Sequence, residues 1–420
     1  MLFTGSHTEA TIGDHAVITL DGGDATVSAS SKTNARIIGG AIGATSGKVG
    51  AGVNIAAVSD RDEIFASIGD DAAIAGAKDV LVNAKADRDL LAVTIAAGAT
   101  GSSGGTALGG GLNVIVTGSD VRADVGKRAR IAASGVFTTE AENLSDLTLI
   151  STSLAFSTSG AALGGTVAVI VAENNTQATV GDDAVITAAG DVLVEAVSDE
   201  KLLNILASIS GSAGDPATVA GTIGVLVTES ETRAEVGKRA KLTATAGSVS
   251  ILADGQVKQV VVLAALTGGT GKAAVGATVN VNVFEHKVLA LIGENAELIA
   301  EAVEAGRNVV IMATAGDQTI IVTVAGGATA GNVGIAGAIP VIVSQSTVRA
   351  GLGNSSKAAA GDSVVIYAEL ITGLYDVAGG IAAGSSAGVG VTASTAVLNN
   401  TVEALVGDSA HLIAHAATSS

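Results

Sequence analysis

The sequence predicts an all-β fold, a repeat β-solenoid (β-helix) with seven full repeats of about 56 residues. Three observations indicate this fold: a regularly spaced glycine, short segments in which apolar and polar residues alternate, and a composition rich in small and β-branched side chains. The spacing predicts one continuous repeat array over 1–420, since stacked repeats contact only their neighbours. The anchor glycines are Gly13, Gly69, Gly126, Gly181, Gly237, Gly293, Gly353 and Gly407, separated by 56, 57, 55, 56, 56, 60 and 54 residues.

Each repeat is predicted to contain about four strands. Strand A follows the anchor glycine, as in Lys241-Leu242-Thr243-Ala244, and strand B follows a short turn, as in 248–253. Both alternate apolar with polar residues, which is typical of strands with one buried and one solvated face. Strand C, as in 202–209, and strand D, as in 279–283, are separated by a Gly-rich turn. One segment, 295–305, has a pattern compatible with a brief helical insertion.

Strands C and D carry small or apolar residues on both faces. We therefore expect both faces to be covered, either by other strands of the chain or by a partner surface. The array begins and stops partway through a repeat, without an obvious capping element. This predicts either a segment of a longer repeat array or copies that stack end to end, because an uncovered edge strand invites strand addition.

Composition excludes several classes of function. The chain is 48% hydrophobic but only 2% aromatic, and its formal net charge is −18. The acidity argues against nucleic-acid binding, which needs clustered Lys and Arg. The absence of cysteine excludes a disulfide scaffold and a cysteine nucleophile. No signal peptide is recognisable within the chain, and no run of about 18 apolar residues predicts a membrane-spanning helix.

The two residues after each anchor glycine show a finer period, in which acidic and basic pairs alternate. If one repeat makes one coil, equivalent residues stack about 4.8 Å apart. Alternating charges would then form a ladder that sets the register of the coils, because a slip by one coil would place like charges together. Inheritance from an ancestral duplication is the alternative. The predicted ladder comprises Asp70, Asp71, Lys127, Arg128, Asp182, Asp183, Lys238, Arg239 and Glu294.

The residues show no catalytic constellation, so we expect no enzyme, no catalytic residues and no cofactor. The five histidines, His7, His15, His286, His411 and His415, are not spaced as a metal site and are interpreted as ordinary surface residues. Calcium, which needs six to eight oxygen ligands, is the one metal considered. Its candidate ligands are the carboxylates of Asp70, Asp71, Asp182 and Asp183, for which a role as solvated turn residues is favoured.

The repeat resembles the large repetitive surface proteins of bacteria, of the filamentous adhesin and haemagglutinin type, including the leukotoxin-like filamentous adhesins. The pattern that carries the resemblance is Thr-x-Ala-x-Val-Gly-Asp-x-Ala-x-Ile-x-Ala-x-Gly-x-Val-x-Val-x-Ala over 176–196, and it recurs along essentially the whole chain. The resemblance implies a secreted, elongated, extracellular or cell-surface protein that acts in adhesion or matrix building.

The expected function is therefore a structural, non-catalytic segment of a bacterial cell-surface fibre or adhesin. Its expected partner is itself, in a homo-oligomer or filament formed by coil stacking. A solenoid binding module that recognises a host or neighbouring-cell ligand is the alternative, and a β-helix enzyme acting on polysaccharide is the third possibility. The chain is not expected to bind nucleic acid or to span a membrane.

Overall fold

A computed structural model of the chain describes residues 1–214, 216–301 and 306–415. Over these residues the fold is all-β, without an α-helix, and consists of parallel strands stacked in three sheets. Each repeat makes one coil: a long strand runs outward, a tight turn reverses the chain at the tip, and a second long strand returns to a corner. A short strand then closes the base of the coil. The predicted all-β repeat solenoid is confirmed.

The strands are numbered along the chain and grouped here by sheet. The outbound sheet contains β3 (Ala25–Thr45), β6 (Val80–Thr100), β9 (Phe137–Ser157), β12 (Val192–Ser212), β15 (Val249–Gly269), β18 (Val309–Thr329) and β21 (Val364–Ala383). The return sheet contains β1 (Leu2–Ile12), β4 (Val49–Ile68), β7 (Thr106–Val125), β10 (Ala162–Val180), β13 (Thr218–Val236), β16 (Ala273–Ile292) and β19 (Val333–Leu352), with β22 (Ala387–Thr392) and β23 (Thr395–Val406) both pairing with β19. The base sheet contains β2 (Val17–Thr19), β5 (Ala73–Ala77), β8 (Arg130–Ala133), β11 (Val185–Ala188), β14 (Lys241–Ala244), β17 (Glu297–Ala300), β20 (Lys357–Ala360) and β24 (His411–Ala414).

The number of strands per repeat differs from the prediction, because strands B and C are one continuous strand. In β12 the register with β9 and β15 runs unbroken from Val192 to Ser212. The segment between the predicted strands, around Glu200, contains no glycine or proline that would turn the chain. Three strands per coil, rather than four, therefore build the solenoid.

The predicted helical insertion over 295–305 is wrong where the structure describes it. Residues Glu297–Ala300 form β17, which pairs in register with β14 and β20. The pairing along the base sheet outweighs the helical propensity of an Ala-Glu-Leu sequence. Residues 302–305 of this segment lie outside the described residues.

The interior changes from the base to the tip. At the base, all three sheets enclose a core of large side chains such as Ile68, Ile74 and Phe137, all buried. A smaller aliphatic cluster, including Leu149 and Leu206, lies further out between the long sheets. Near the tip the two sheets approach so closely that a Cβ on Gly98 would overlap the carbonyl oxygen of Leu108. Each coil is thus thick at the base and thin at the tip.

The outer faces of the long sheets also change along the strand. Their basal halves carry charged residues, whereas their distal halves carry none of Asp, Glu, Lys, Arg or His from β6 to β19. We call these distal segments the outbound band and the return band. The outbound band is 91–100, 148–157, 203–212, 260–269 and 320–329, and the return band is 106–116, 162–171, 218–227, 273–283 and 333–343.

Strands C and D, expected to be covered on both faces, are covered on one. Their inner faces meet the opposite sheet, but side chains on the outer faces stay exposed: Phe156 by 49%, Ile95 by 45% and Ile223 by 44%. Nothing within the chain lies over the two bands in the described residues. Of the two covers expected from the sequence, other strands of the chain do not cover these outer faces. A partner surface is the cover that remains.

The first and last coils present strand edges that pair on one side only. β1, β2 and β3 lie at one end of the three sheets, and β21, β22, β23 and β24 lie at the other. Among the described residues, none forms a helix long and apolar enough to cross a membrane.

Candidate functional site

The corner at the end of each return strand is where the repeat is most strictly built. The anchor glycine stacks directly on the glycine of the preceding coil. A Cβ at Gly181 would lie 2.7 Å from the backbone nitrogen of Lys127, and one at Gly237 would lie 2.6 Å from that of Asp182. The glycine is required because backbone meets backbone there. Its own N–H continues the coil-to-coil ladder, as in Gly181 N–H to the Val125 carbonyl, 2.7 Å.

The second residue after each anchor glycine adopts a left-handed backbone conformation, with φ between 55° and 58°. Residues other than glycine seldom adopt this backbone conformation. A backbone hydrogen bond to the next coil holds each of them except Ser409, which lies in the last corner; Asp71 N–H, for example, donates to the Lys127 carbonyl at 2.8 Å. Every corner therefore turns the chain identically. The residues are His15, Asp71, Arg128, Asp183, Arg239, Asn295, Ser355 and Ser409.

The first residue after the glycine uses its side chain to bind the next corner. Asp70 Oδ1 accepts a hydrogen bond from the backbone N–H of Lys127 at 2.7 Å, and Asp182 Oδ1 accepts one from that of Lys238 at 2.8 Å. Asn354 provides the same contact to the N–H of Asp408. Asp70 and Asp182 thus contact the backbone of the following lysine, not its ammonium group.

The second column contains the ion pairs. Arg128 binds Asp71 through two parallel hydrogen bonds, Nε to Oδ1 at 2.7 Å and Nη2 to Oδ2 at 2.6 Å. Arg239 binds Asp183 in the same way, with both distances 2.7 Å. In the first column, Lys238 Nζ lies 3.3 Å from Glu294 Oε2. The structure thus brings oppositely charged residues of consecutive coils together, mainly through the two arginines.

These contacts stabilise the charged forms of both partners. The hydrogen bonds from Arg128 lower the pKa of Asp71, and those from Arg239 lower the pKa of Asp183. Reciprocally, Asp71 and Asp183 raise the pKa values of the two arginines. The two arginines are exposed and the two aspartates are partly exposed, so the ladder is screened by salt and its energetic contribution is modest.

The geometry bears on calcium as well. The carboxylates of Asp71 and Asp183 each face a guanidinium, and those of Asp70 and Asp182 accept backbone N–H groups. A carboxylate with these partners offers few free oxygens to a cation that needs six to eight. Within the described residues, no group of three or more His, Asp or Glu side chains could hold a metal ion.

A second feature, not foreseen from the sequence, is a buried polar stripe. It crosses the interior between the basal core and the outer aliphatic cluster, where inward-facing residues of outbound and return strands meet. Its members form chains of hydrogen bonds, as when Asn143 donates to Ser119 and Ser119 donates to Asn174, both at 2.8 Å. The buried members with charged or ring side chains are Asp60, Asp62, Arg88, Glu200, His286 and Asp317.

Arg88 is the most heavily bonded member of the stripe. Its Nε lies 2.9 Å from Asp60 Oδ2, an ion-pair contact whose angle is poor for a hydrogen bond, and its Nη2 lies 3.5 Å from Asp62 Oδ2. Its Nη1 donates to Thr117 Oγ1 at 2.9 Å, and its Nη2 donates to the Gly118 carbonyl. Its Nη1 also lies 3.5 Å from Asn174 Oδ1, so Arg88, which is 2% exposed, finds partners in three coils.

Glu200 occupies the equivalent position two coils further along. Its carboxylate accepts a hydrogen bond from Ser230 Oγ at 2.6 Å. Burial raises the pKa of Glu200, although the hydrogen bond from Ser230 opposes this shift. The folded state thus favours the neutral carboxylic acid.

His286, interpreted from the sequence as a surface residue, is instead buried. Its Nδ1 lies 2.6 Å from Asp317 Oδ1, and Ser346 Oγ donates to Asp317 Oδ2 at 2.6 Å. The second ring nitrogen, Nε2, has no hydrogen-bond partner among the described residues. Gly255 makes room for the ring, since a Cβ there would lie 2.5 Å from Nε2.

The His286 cluster contains Ser, His and Asp but is not a catalytic triad. Asp317 sits between the other two, so the serine hydroxyl bonds the carboxylate and not the imidazole, which is the base a nucleophilic serine needs. All three side chains are enclosed between the long sheets. The arrangement holds two sheets and three strands together. The sequence signal that could have revealed this stripe is a polar residue at an inward position, such as Arg88 between Ala86 and Leu90.

Comparison with known proteins returns no match: no protein-family profile, no curated protein and no solved structure is significantly similar to the chain.

Proposed function

We propose that the chain is a structural, non-catalytic module of a secreted bacterial cell-surface fibre or adhesin. The observation that carries the proposal is the uniform stacking of its coils: β9, β12 and β15 pair residue for residue over their full length, as do β10, β13 and β16. Such stacking extends a body along one axis by adding identical units. The resemblance of 176–196 to filamentous adhesin repeats supports the same assignment.

The corners support a structural role. Those from Gly69 to Gly353 repeat the same glycine stack, left-handed residue and coil-to-coil hydrogen bonds, so successive coils are joined in the same way. The buried charged and ring side chains make their contacts between strands in the interior. We propose on this basis that the chain has no catalytic site.

Elongation follows from the edge strands. Further coils of the same polypeptide can pair with the free side of β3 or β21 as β6 pairs with β9. In the same way, β21 of one copy can pair with β3 of the next. In β3 the N–H of Ala25 donates to the next coil. In a parallel ladder the N–H groups of its neighbours Thr26, Ser28 and Ser30 then point to the free edge.

Electron microscopy of the purified chain tests the proposal. We expect filaments that grow along the coil axis, with a meridional repeat of about 4.8 Å in fibre diffraction. Proline at Ser28 and Ser30 should remove two free-edge donors and shorten the filaments, whereas alanine at both positions should not. Isolated particles of one chain, unchanged by concentration, would contradict assembly through the edges.

A further inference from the structure

The two apolar bands are the largest unexplained surface of the molecule. Each strand contributes about ten residues at about 3.3 Å per residue, and the strands of neighbouring coils lie about 4.8 Å apart. Over the five strands that each band comprises, the band therefore covers about 800 Å². Single proteins seldom expose contiguous apolar patches larger than about 300–600 Å². Here there are two, on opposite sides of a thin blade.

The distribution of side chains towards the tip is inverted relative to an ordinary folded domain. On β6 the outward residues include Ile95, whereas the inward residues there are Thr94, Ala96 and Gly98. Inside, threonine hydroxyls bridge the sheets, as when Thr222 Oγ1 donates to the Ala264 carbonyl at 2.9 Å. The chain alone therefore gains little from hydrophobic burial in this region, and the larger apolar side chains remain in water.

We propose that the outbound and return bands are interfaces between copies of this chain, which pack face to face through their distal halves. This inference rests on the proposed structural role and adds a lateral contact to the axial one. Flat sheets of Val, Ile and Leu side chains are suited to packing at about 10 Å separation. An interface of about 800 Å² on each copy matches the roughly 800 Å² per partner of a stable complex.

Charge sets the relative direction of the two copies. The basal half of the outbound outer face carries the neighbouring carboxylates Glu140, Glu195 and Asp254, and the whole chain has a net charge of −18. Side-by-side copies with their bases aligned would place these acidic faces together. Copies pointing in opposite directions overlap only through the bands, and their charged bases project at opposite ends. Since each blade has two bands, the packing continues from copy to copy.

A lipid surface is the other apolar partner, and the structure favours it less. Segments that enter bilayers carry Trp and Tyr at the water boundary, but the chain has no Trp and two Tyr residues. The residues that border the return band, such as Glu173 and Glu229, are acidic and repel anionic lipid headgroups.

Lysine substitutions on the bands test the proposal. Ile209→Lys on the outbound band and Ile223→Lys on the return band would each place a charge in the interface. Val197→Lys, on the same strand and the same face as Ile209 but in the basal half, is the matched control. Sedimentation velocity should show that lateral growth beyond two blades requires about tenfold or more protein in each single variant than in the wild type, because an unpaired charge is costly to bury. Circular dichroism checks that all variants keep their strands.

Electron microscopy separates this inference from the proposed function. If each single variant forms filaments two blades thick through its intact band, and the Ile209→Lys/Ile223→Lys double variant forms filaments one blade thick while the wild type forms bundles, both proposals stand. If the band variants bundle like Val197→Lys, the lateral interface is refuted and the axial assembly stands. A wild type that remains one blade thick, or that floats with phosphatidylcholine vesicles in place of self-association, also overturns the lateral interface.

Single cysteines test the direction of packing, since the chain has no cysteine of its own. Ile223→Cys lies mid-band and should form a disulfide with its own equivalent in the partner. Glu229→Cys, towards the base on the same strand, should not. Efficient linking of Glu229→Cys would show that the bases are aligned and would refute the antiparallel arrangement.

Discussion

At the scale of the residue, the corner shows how one glycine can be required without a left-handed conformation. Gly181 and its equivalents are needed because the neighbouring coil lies where a Cβ would be, whereas the left-handed position two residues later holds Asp, Arg, Asn, Ser or His. Coil-to-coil hydrogen bonds compensate for the backbone strain at those residues. Sequence periodicity located the glycine, but only the stacked backbone explains it.

Gly181→Ala should lower the free energy of unfolding by about 1–3 kcal/mol, because the added methyl group overlaps the backbone of Gly126 and Lys127. Gly13→Ala is the matched control: it is an anchor glycine too, but no atom lies within 4 Å of its Cβ position. Urea denaturation followed by circular dichroism measures both. Equal losses in the two variants would rule out the stacking explanation.

Glu200→Gln should stabilise the protein at pH 8 and have little effect at pH 4. The folded-state pKa of Glu200 is raised by burial, so the folded state holds the proton more tightly than the unfolded state. Stability therefore falls as the pH rises from the unfolded-state pKa through the folded-state pKa, and glutamine removes this loss while keeping an acceptor for Ser230.

The measurement is the urea midpoint of both proteins as a function of pH. A wild-type advantage at pH 8 would contradict a raised pKa of Glu200 in the folded state. Ser230→Ala provides a useful comparison, since it removes the hydrogen bond without removing the carboxyl group.

At the scale of the element, pairs of side chains connect strands and corners that are distant in sequence. The Asp183–Arg239 ion pair joins consecutive corners at the surface, and the His286–Asp317 pair joins the return and outbound sheets in the interior. An ion pair at the surface contributes little to stability, whereas removing one partner of a buried pair is strongly destabilising.

Asp183→Asn and Arg239→Gln should each lower the melting temperature slightly, and the double variant should lower it by less than the sum. The coupling should shrink in 1 M NaCl because both side chains are exposed. The depressed pKa of Asp183 means that the ladder contributes above the unfolded-state pKa of aspartate and is lost as the pH falls through the folded-state value. A coupling that is unaffected by salt and pH would exclude an electrostatic ladder.

Asp317→Ala should cost about 3–5 kcal/mol, because it leaves His286 and Ser346 buried without their partner. The double variant His286→Leu with Asp317→Val should cost much less, since it replaces the buried pair with apolar side chains; Val257 already occupies the neighbouring position. Thermal unfolding of both variants distinguishes them. If the double variant is the less stable of the two, the polar stripe contributes more to stability than the contacts that its residues make with one another.

At the scale of the whole molecule, the repeat period predicted the solenoid, because the same short pattern recurs at every corner. It did not predict three strands per coil. From the sequence, a charged residue such as Glu200 indicates a surface turn between two strands, whereas it is buried within one continuous strand. His286 was misplaced for a related reason: one residue cannot reveal that Asp317, in the following strand of the other sheet, faces it. The apolar outer faces of strands C and D were visible in the sequence, but the thin, polar interior between them was not.

The direction of the coil-to-coil hydrogen bonds has a mechanical consequence. The first and last coils lie at opposite ends of the axis, so tension between them acts parallel to these hydrogen bonds. Under such tension the strands separate one hydrogen bond after another; they do not slide past one another with all the bonds loaded at once. Each released coil would replace about 4.8 Å of axial length with about 190 Å of extended chain. In a single-molecule pulling experiment, this chain should lengthen in a series of nearly equal steps of that size, each at modest force. The folded stack would thus be an extensible element that releases the length of one coil at each step.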